Sequence, residues 1–262
     1  MDGVIYSPLQ LREIFHLEFL RWLAREIKLK YYALKGGVNL RFFFKSCRYS
    51  EDMDLDISGI EVVRLKDTVM KILENVSFQD SLKPFGVEQV LPPDIARAKQ
   101  TQTTQRFKIH LITPSGEDLF TKVEFSRRGF KGEVVVQPVS DIILRAYKLL
   151  PLMVAHYNIQ SAIIQKIEAL ATRSVIQARD IFDLYILSSQ FQPSKANEIK
   201  TNSAKLTKAY ENVFEISFEQ FRDTVISYLS AEDQAVYNSS TLWDEIKLKA
   251  VNFINELNRQ HA

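Results

Sequence analysis

Three aspartates alternate with apolar residues at positions 52–57, in the run DMDLDI. A period of two predicts a β-strand, on which Asp52, Asp54 and Asp56 share one face while the apolar residues share the other. Carboxylates about 7 Å apart along a strand repel one another unless solvent or cations intervene. Mg²⁺ favours oxygen ligands and commonly takes one or two carboxylates together with substrate phosphates, so a pair of these acids is suited to hold it.

Two other interpretations of the acidic run compete with a magnesium site. A calcium-binding loop would require a glycine where Ile57 stands and a glutamate where Val63 stands, and the sequence therefore excludes it. An exposed acidic strand face with no ligand is also compatible with the spacing. The spacing alone leaves that second alternative open, and the neighbouring sequence has to decide.

A double glycine precedes the acidic run, in the order Lys35, Gly36 and Gly37, and a helix is predicted from near Val38. Glycines at such a turn let backbone amides come close to phosphates, and a helix N-terminus adds a favourable partial charge. A double glycine is also a common simple turn, and neither a Walker loop nor a dinucleotide fingerprint is present. The order of glycine turn, helix and acidic strand is what favours a nucleotide site.

Two stretches in this region, LKGGVNLR at 34–41 and RYSEDMDL at 48–55, carry a resemblance to a known family. They resemble the nucleotidyltransferase signature of the AbiEii/AbiGii toxin family, which belongs to the polymerase-β-like nucleotidyltransferase superfamily. The resemblance implies a phosphate turn at the two glycines, a site for Mg²⁺ or Mn²⁺ at two of the aspartates, and Asp56 outside the motif. The nucleotide-binding and metal-binding residues that it implies are Gly36, Gly37, Arg41, Ser50, Asp52 and Asp54.

A third carboxylate is expected from the run TKVEFSRR at 121–128, which also alternates as a strand. Lys122, Glu124 and Ser126 share one face of that strand. Nucleotidyltransferase sites usually take a third acid from a neighbouring strand to activate the attacking hydroxyl, and Glu124 is the candidate. The family more often has aspartate at this point, and a surface glutamate on an edge strand is the alternative interpretation.

A second stretch, KIEALATRSVIQARDIFDLY at 166–185, resembles the family's downstream signature, K-x-x-A-L-x-x-R followed by R-D-x-x-D-L. The resemblance implies that Lys166 reaches nucleotide phosphates and that Asp180 supports the site or the acceptor. On a helix, Arg179 would be able to pair with Asp183 at i+4, and ordinary surface ion pairing is the alternative interpretation of these charges. The resemblance covers roughly residues 30–190.

The overall composition is that of an ordinary globular protein, with 262 residues, 46% hydrophobic and 25% charged, and a formal net charge of +2. That charge alone does not indicate a nucleic-acid partner. The single cysteine, Cys47, excludes an internal disulfide, and we expect a cytoplasmic protein. No apolar run approaches the roughly 18 residues needed to cross a membrane, and the N-terminus lacks the pattern of a signal peptide.

The periodicities predict an α+β fold in two lobes. The first, residues 1–139, is a nucleotidyltransferase-type mixed sheet with flanking helices, and the second, residues 140–262, is entirely helical. A first helix at 8–30 is predicted with Ser7 as its N-cap and Pro8 at its first position. Strands are predicted at 52–57, 106–112, 119–126 and 133–138, and later helices at 61–76, 140–150, 156–172, 177–190, 194–211, 216–229 and 240–258.

These observations predict a metal-dependent nucleotidyltransferase that moves a nucleoside monophosphate from a triphosphate such as ATP or GTP to an acceptor hydroxyl. By resemblance, the acceptor is RNA such as tRNA, and the chain is the toxin of a toxin–antitoxin or abortive-infection pair with a separate antitoxin protein. Two alternatives are a non-catalytic nucleotide- or partner-binding module on the same scaffold and an enzyme that modifies a small molecule. A group of basic residues is suited either to acceptor phosphates or to a solvated turn: Lys122, Arg127, Arg128 and Lys131.

Overall fold

The computed structural model describes residues 5–96, 98–192, 199 and 201–260. The chain forms two compact units, and both are discontinuous in sequence. The first contains the described residues up to Phe42 together with Tyr49–Tyr157. The second contains Phe43–Arg48 and the described residues from Asn158 onward. The first unit therefore extends beyond the boundary predicted between residues 139 and 140.

A seven-stranded mixed sheet dominates the first unit, in the order β3-β4-β5-β2-β1-β7-β6. The acidic strand β2 stands at its centre, antiparallel to β1 and parallel to β5. The strands predicted at 52–57, 106–112, 119–126 and 133–138 are confirmed, with small differences at their ends. The strands are β1 (Tyr32–Lys35), β2 (Asp52–Ile57), β3 (Gln89–Leu91), β4 (Thr104–Ile112), β5 (Asp118–Ser126), β6 (Val134–Pro138) and β7 (Met153–Tyr157).

Strand β7 differs from the sequence-based expectation, which had only helices after Pro138. It lies between β1 and β6, and Leu34 of β1 pairs with His156 in parallel. Every residue of β7 after Met153 is buried, so the strand shows no alternation of apolar and polar residues. A strand that is covered on both faces loses the period of two by which exposed strands are detected. This strand carries the first unit past residue 140.

The helices of the first unit include α1, which packs against α3, α4 and β5. Its start is as predicted: Ser7 is the N-cap in a capping box with Gln10, and Pro8 occupies the first position. The helix ends at Glu26, because Ile27 is already extended. The bounds are α1 (Pro8–Glu26), α2 (Gly36–Phe43), α3 (Val62–Leu73), α4 (Val76–Leu82) and α5 (Asp141–Ala146).

The second unit is helical over its described residues, as predicted for this part of the chain. Helix α6 packs against α7 and α8, and α11 packs against α7, α8 and α9. Phe221 stacks on Trp243 in its core, with ring centroids 4.2 Å apart. The predicted helix at 194–211 begins outside the described residues. The bounds are α6 (Ile159–Thr172), α7 (Ala178–Ser188), α8 (Ser203–Val213), α9 (Phe218–Thr224), α10 (Ala231–Tyr237) and α11 (Ser240–Gln260).

Among the described residues, no helix combines the length and the apolar character that a membrane span requires. Helix α11, with 21 residues, is long enough but carries many charged side chains. The expectation of no membrane-spanning helix therefore holds for the part of the chain that is described.

Candidate active site

The glycine turn lies directly against the acidic strand. Gly36 follows the last residue of β1, begins α2 and has a φ of +68°, a conformation that side chains of L-residues rarely adopt. Because Lys35 of β1 pairs with Asp54 of β2, the turn meets the second of the predicted metal ligands. A Cβ placed on Gly36 would lie only 3.1 Å from Oδ2 of Asp54. This position therefore favours glycine for its backbone angle, and a Cβ there would also crowd the carboxylate of Asp54.

Asp52 and Asp54 alternate along β2 and differ in their surroundings. The side chain of Asp52 is 37% exposed, and its Oδ2 lies 2.9 Å from Nζ of Lys122 on the neighbouring strand β5. Asp54 is more enclosed, and burial raises the pKa of its carboxyl group. The positive charges of Lys122 and Lys35 act against that rise without cancelling it. Asp54 is therefore an anion whose burial is incompletely compensated by the cations of the chain.

The donor set at this strand fits a hard divalent cation. Two carboxylates two residues apart offer oxygen ligands, and the incompletely compensated charge of Asp54 favours a nearby cation. Across the described residues, no three histidine, cysteine, aspartate or glutamate side chains are arranged to hold a metal by themselves. Mg²⁺ commonly completes its shell with substrate phosphates and water, so two carboxylates meet its requirements.

Glu124, the predicted third acid, lies beside Asp54. The parallel register of β2 and β5 pairs these two residues directly, so their side chains emerge on one face of the sheet. The Glu124 side chain is 25% exposed, and its Oε2 lies 2.7 Å from Nε of Arg106 on β4. The alternative of an edge strand is wrong, since β5 stands between β4 and β2. The carboxylate is thus held at the rim of the acidic pair by a guanidinium group.

Asp56 has a different environment from the other two aspartates. Its carboxylate is buried, forms an ion pair with Lys35 and accepts a hydrogen bond of 2.6 Å from the hydroxyl group of Tyr157. These contacts tie together β1, β2 and β7. The hydroxyl oxygen of Tyr157 also accepts a hydrogen bond from the backbone N–H of Lys131. Asp56 is thus fully engaged in holding strands together, which agrees with its place outside the motif.

Arg41 and Ser50, both predicted near the nucleotide, make contacts within the first unit. The hydroxyl group of Ser50 donates a hydrogen bond to the backbone oxygen of Asp52 and so fixes the start of β2. Nε of Arg41 lies 2.7 Å from Oε1 of Glu13 on α1, and its guanidinium group stacks over the ring of Tyr49 at 4.1 Å. These contacts hold α2 against α1. A direct role for Arg41 beside the nucleotide stays a prediction.

The basic residues near β5 do not behave as one group. Lys122 pairs with Asp52. Arg127 donates to the side chain of Gln105 and to the backbone oxygen of Ile60, and burial lowers its pKa. The side chains of Arg128 and Lys131 are exposed. The interpretation of a solvated basic turn therefore describes the last two residues and not the first two.

The downstream signature forms a buried charge network in the second unit. Nζ of Lys166 on α6 lies 2.9 Å from Oδ1 of Asp180 and 2.6 Å from Oδ2 of Asp183, both on α7. Oδ2 of Asp180 faces Nη1 of Arg173 at 3.0 Å, as an ion pair without hydrogen-bond geometry. Although burial disfavours its charge, these aspartates hold the pKa of Lys166 above its usual value. The network keeps its lysine charged inside the helical unit.

Asp183 does not pair with Arg179, and that prediction is wrong. The Arg179 side chain is exposed, whereas Asp183 is completely buried. The carboxylate instead receives Arg48 and Lys166, whose charges outweigh burial and lower its pKa. Arg48 opens the motif RYSEDMDL, but no sequence pattern indicates that it belongs to this network. Its partner is 135 positions away in the sequence, beyond any helical spacing rule.

Comparisons with known proteins identify the family and the fold. A family model described as "Nucleotidyl transferase AbiEii toxin, Type IV TA system" matches residues 18–242. The fold is similar to that of JHP933 from Helicobacter pylori, at 17% identity and a TM-score of 0.60 over 98% of this chain and 94% of that one. It is also similar to MenT4, a nucleotidyltransferase toxin from Mycobacterium tuberculosis H37Rv, at 15% identity and a TM-score of 0.67 over 95% and 84% of the two chains. No curated protein sequence matches the chain.

Proposed function

The chain belongs to the AbiEii family of nucleotidyltransferase toxins, and on that premise we propose its reaction and site. It transfers a nucleoside monophosphate from a nucleoside triphosphate, ATP or GTP, to a hydroxyl group of RNA such as tRNA. The observation that most supports this proposal is the contact of the Gly36 turn with Asp54. On the neighbouring strand β5, Glu124 is the residue that pairs with Asp54. A phosphate-binding turn, a pair of metal-binding acids and a candidate base then adjoin on one sheet.

The proposed reaction assigns each of these groups a step. The acceptor hydroxyl oxygen forms a bond to the α-phosphorus of the triphosphate, and the bond from that phosphorus to the pyrophosphate oxygen breaks. Glu124 accepts the proton of the hydroxyl group, and the 2.7 Å pair with Arg106 orients its carboxylate for this role. The backbone amides at Gly36 and Gly37 bind phosphate oxygens at the start of α2.

Asp52 and Asp54 are the proposed ligands of the divalent cation. When bound there, Mg²⁺ or Mn²⁺ neutralises charge on the triphosphate and on the departing pyrophosphate. When the triphosphate binds, Lys122 exchanges its ion pair with Asp52 for one with the phosphate oxygens. The family resemblance implies that Lys166 binds phosphate and that Asp180 supports it, and such binding would require the ammonium group of Lys166 to leave both Asp180 and Asp183.

A labelled transfer assay tests the proposal. The purified chain is incubated with Mg²⁺ and total RNA, and each triphosphate carries its label either on the α-phosphate or on the γ-phosphate. We expect RNA to acquire the α-label and not the γ-label, with release of pyrophosphate. Transfer should disappear in Asp52→Ala and Asp54→Ala and persist in Asp118→Ala, an exposed aspartate on β5 that pairs with His110. Failure to label RNA, protein or small molecules would contradict the enzymatic proposal.

The role of Glu124 is tested separately. Glu124→Gln should lower the transfer rate by about 10² or more, because proton transfer by a positioned side chain contributes 10²–10⁴. Nucleotide affinity should stay unchanged, since the proposed role is confined to the hydroxyl group. Glu117→Gln, at an exposed position in the turn before β5, is the matched control.

The family places the chain in the context of a toxin–antitoxin system, and a separate antitoxin protein is the proposed partner. We expect expression of the chain alone to arrest growth and the Asp54→Ala variant to remove that arrest. Growth arrest that is equal for both would show that toxicity does not depend on transfer. A neighbouring gene product that restores growth would identify the antitoxin.

A further inference from the structure

The segment Phe43–Arg48 joins two elements of the first unit but packs with the second. It begins at Phe43, the last residue of α2, the helix that starts at the glycine turn, and it ends four residues before Asp52 of β2. Both neighbours belong to the sheet unit, whereas the segment itself belongs to the helical unit. Its position in the sequence, between the phosphate turn and the metal-binding pair, makes its anchoring relevant to both.

Contacts of Phe44 and Arg48 hold this segment within the helical unit. Nε2 of Gln190 donates a hydrogen bond of 2.6 Å to the backbone oxygen of Phe44. Arg48 binds Asp183 through Nε at 3.3 Å and through Nη2 at 3.2 and 3.0 Å. Lys45 has a φ of +52°, which is unfavourable for a residue with a side chain and persists only where its surroundings fix it.

The partner of Arg48 is fixed by further charges. Asp183 is shared with Lys166, which also contacts Asp180, and Asp180 faces Arg173. The side chains of Arg48 and Asp183 are only 6% and 0% exposed. A buried charge that loses its partner is strongly unfavourable, and a forked guanidinium contact is more directional than a contact with an ammonium group. Two further cations, Lys166 and Arg173, and two carboxylates therefore hold Arg48 in one orientation.

We propose that Arg48 is a positioning residue for nucleotidyl transfer. By binding Asp183 it fixes the segment Phe43–Arg48, and the segment fixes the end of α2 and the start of β2. Arg48 acts through the chain on Asp52 and on the glycine turn and contacts no reacting atom. Lys166 is in this arrangement the internal counter-ion that keeps Asp183 ionised for Arg48. The inference rests on the proposed function for its catalytic consequence, and the anchoring itself can be measured without it.

Hydrogen exchange tests the anchoring. In Arg48→Ala, we expect the amides of residues 43–52 to exchange at least tenfold faster, while those of β4 keep their wild-type rates. Arg179 is an exposed arginine on the same helix as Asp183. Arg179→Ala should change neither the exchange rates of residues 43–52 nor those of β4. Unaltered exchange at 43–52 in Arg48→Ala would overturn the proposal.

Arg48→Lys tests positioning where the alanine variant fails to fold. The lysine keeps the positive charge that Asp183 requires, so the melting temperature should stay near that of the wild type. It loses the guanidinium contact through two nitrogen atoms, which sets the orientation of the side chain. We expect its affinity for Mg²⁺ with a non-hydrolysable triphosphate to fall at least threefold and its transfer rate to fall likewise. A folded Arg48→Lys chain with wild-type affinity would overturn the inference. Absence of transfer by the wild type would instead contradict the proposed function. The affinity of Arg48→Lys for Mg²⁺ with the triphosphate would still test the positioning role of Arg48.

Discussion

The carboxylate of Asp54 lies so close to Gly36 that a Cβ at that position would crowd it. The two residues stand on different elements, the start of α2 and the middle of β2, and the missing Cβ would approach Oδ2 to 3.1 Å. The glycine turn and the acidic strand are therefore fitted to each other at atomic distance. A substitution at Gly36 should therefore shift the carboxylate of Asp54, and a substitution at Asp54 should alter the glycine turn.

Gly36→Ala should reduce nucleotide affinity at least tenfold, because the new methyl group displaces Asp54 and strains the turn. The positive φ alone costs about 1–2 kcal/mol of stability. Gly116→Ala is a matched control, since Gly116 has a φ of +82° and a Cβ added there would meet nothing within 4 Å. Titration calorimetry and thermal unfolding should show similar losses of stability in both variants but a loss of nucleotide affinity only in the first. Equal affinities would contradict the assignment of the turn.

Asp54→Asn should stabilise the metal-free protein while it abolishes transfer. Burial raises the pKa of Asp54 above 3.8, so the folded chain holds this proton more tightly than the unfolded chain does. Stability is therefore lost as the pH rises through the raised pKa, and a neutral side chain avoids that loss at pH 7. We therefore expect the melting temperature of Asp54→Asn at pH 7 to lie above that of the wild type.

Asp52→Asn is the control for that experiment. Asp52 is half-buried and paired with Lys122, so its replacement should not raise the melting temperature. If both variants gained stability equally, the enclosure of Asp54 would not be the cause. Differential scanning calorimetry at pH 7 without divalent cations measures both.

Lys122→Met should raise the affinity of the free protein for Mn²⁺ and lower its affinity for nucleotide. Removal of the ammonium group 2.9 Å from Asp52 frees a carboxylate for the metal. A half-exposed ion pair contributes up to about 1 kcal/mol, which corresponds to a change of about fivefold. Lys108→Met is the control, because Lys108 is paired with Lys122 in the strand register but is exposed. Paramagnetic titration with Mn²⁺ measures the first effect, and identical affinities in the two variants would exclude the competition.

His16 should make the protein less stable in mild acid. Burial, together with the charge of Arg12, lowers the pKa of His16 from 6.5 to about 3. In the unfolded chain His16 becomes protonated as the pH falls below 6.5, whereas in the folded chain it stays neutral down to about pH 3. The free energy of unfolding therefore decreases as the pH falls across that range. The slope contributed is at most about 1.4 kcal/mol per pH unit.

His16→Gln should flatten this slope, because glutamine can replace the contact of 3.0 Å with Thr121 without titrating. His110→Gln, at an exposed position paired with Asp118, should leave the slope unchanged. Urea unfolding at intervals between pH 4 and pH 7 measures the difference. A slope that stays the same in His16→Gln would show that other groups dominate.

The alternation of polar and apolar residues predicts those strands that have one face buried and the other exposed to solvent. The strands β2, β4 and β5 are predictable because polar and apolar residues alternate along them. The proximity of Glu124 to Asp54 follows from the same alternation once the two strands are neighbours. Strand β7 escapes prediction because both of its faces are buried, and nothing in its run of residues distinguishes it from a buried helix.

The distant partners of buried charged residues are beyond the reach of sequence patterns. A helical spacing rule pairs Arg179 with Asp183, whereas the buried partner is Arg48, which is distant in the sequence. Arg41 is likewise expected at the nucleotide and is held by Glu13 of α1. Ion pairs of this kind depend on which elements meet in space, and burial selects among several sterically possible partners.

The division of the chain also decides how it can be cut or recombined. The backbone passes from one unit to the other at residues 42–43, 48–49 and 157–158. A truncation after Tyr157 would leave Arg48 in a fragment without Asp183, and a fragment that starts at Asn158 would lack the whole segment that Arg48 anchors. Exchange of the helical part between relatives by a single recombination event would separate Arg48 from Asp183, because about half of the chain lies between them.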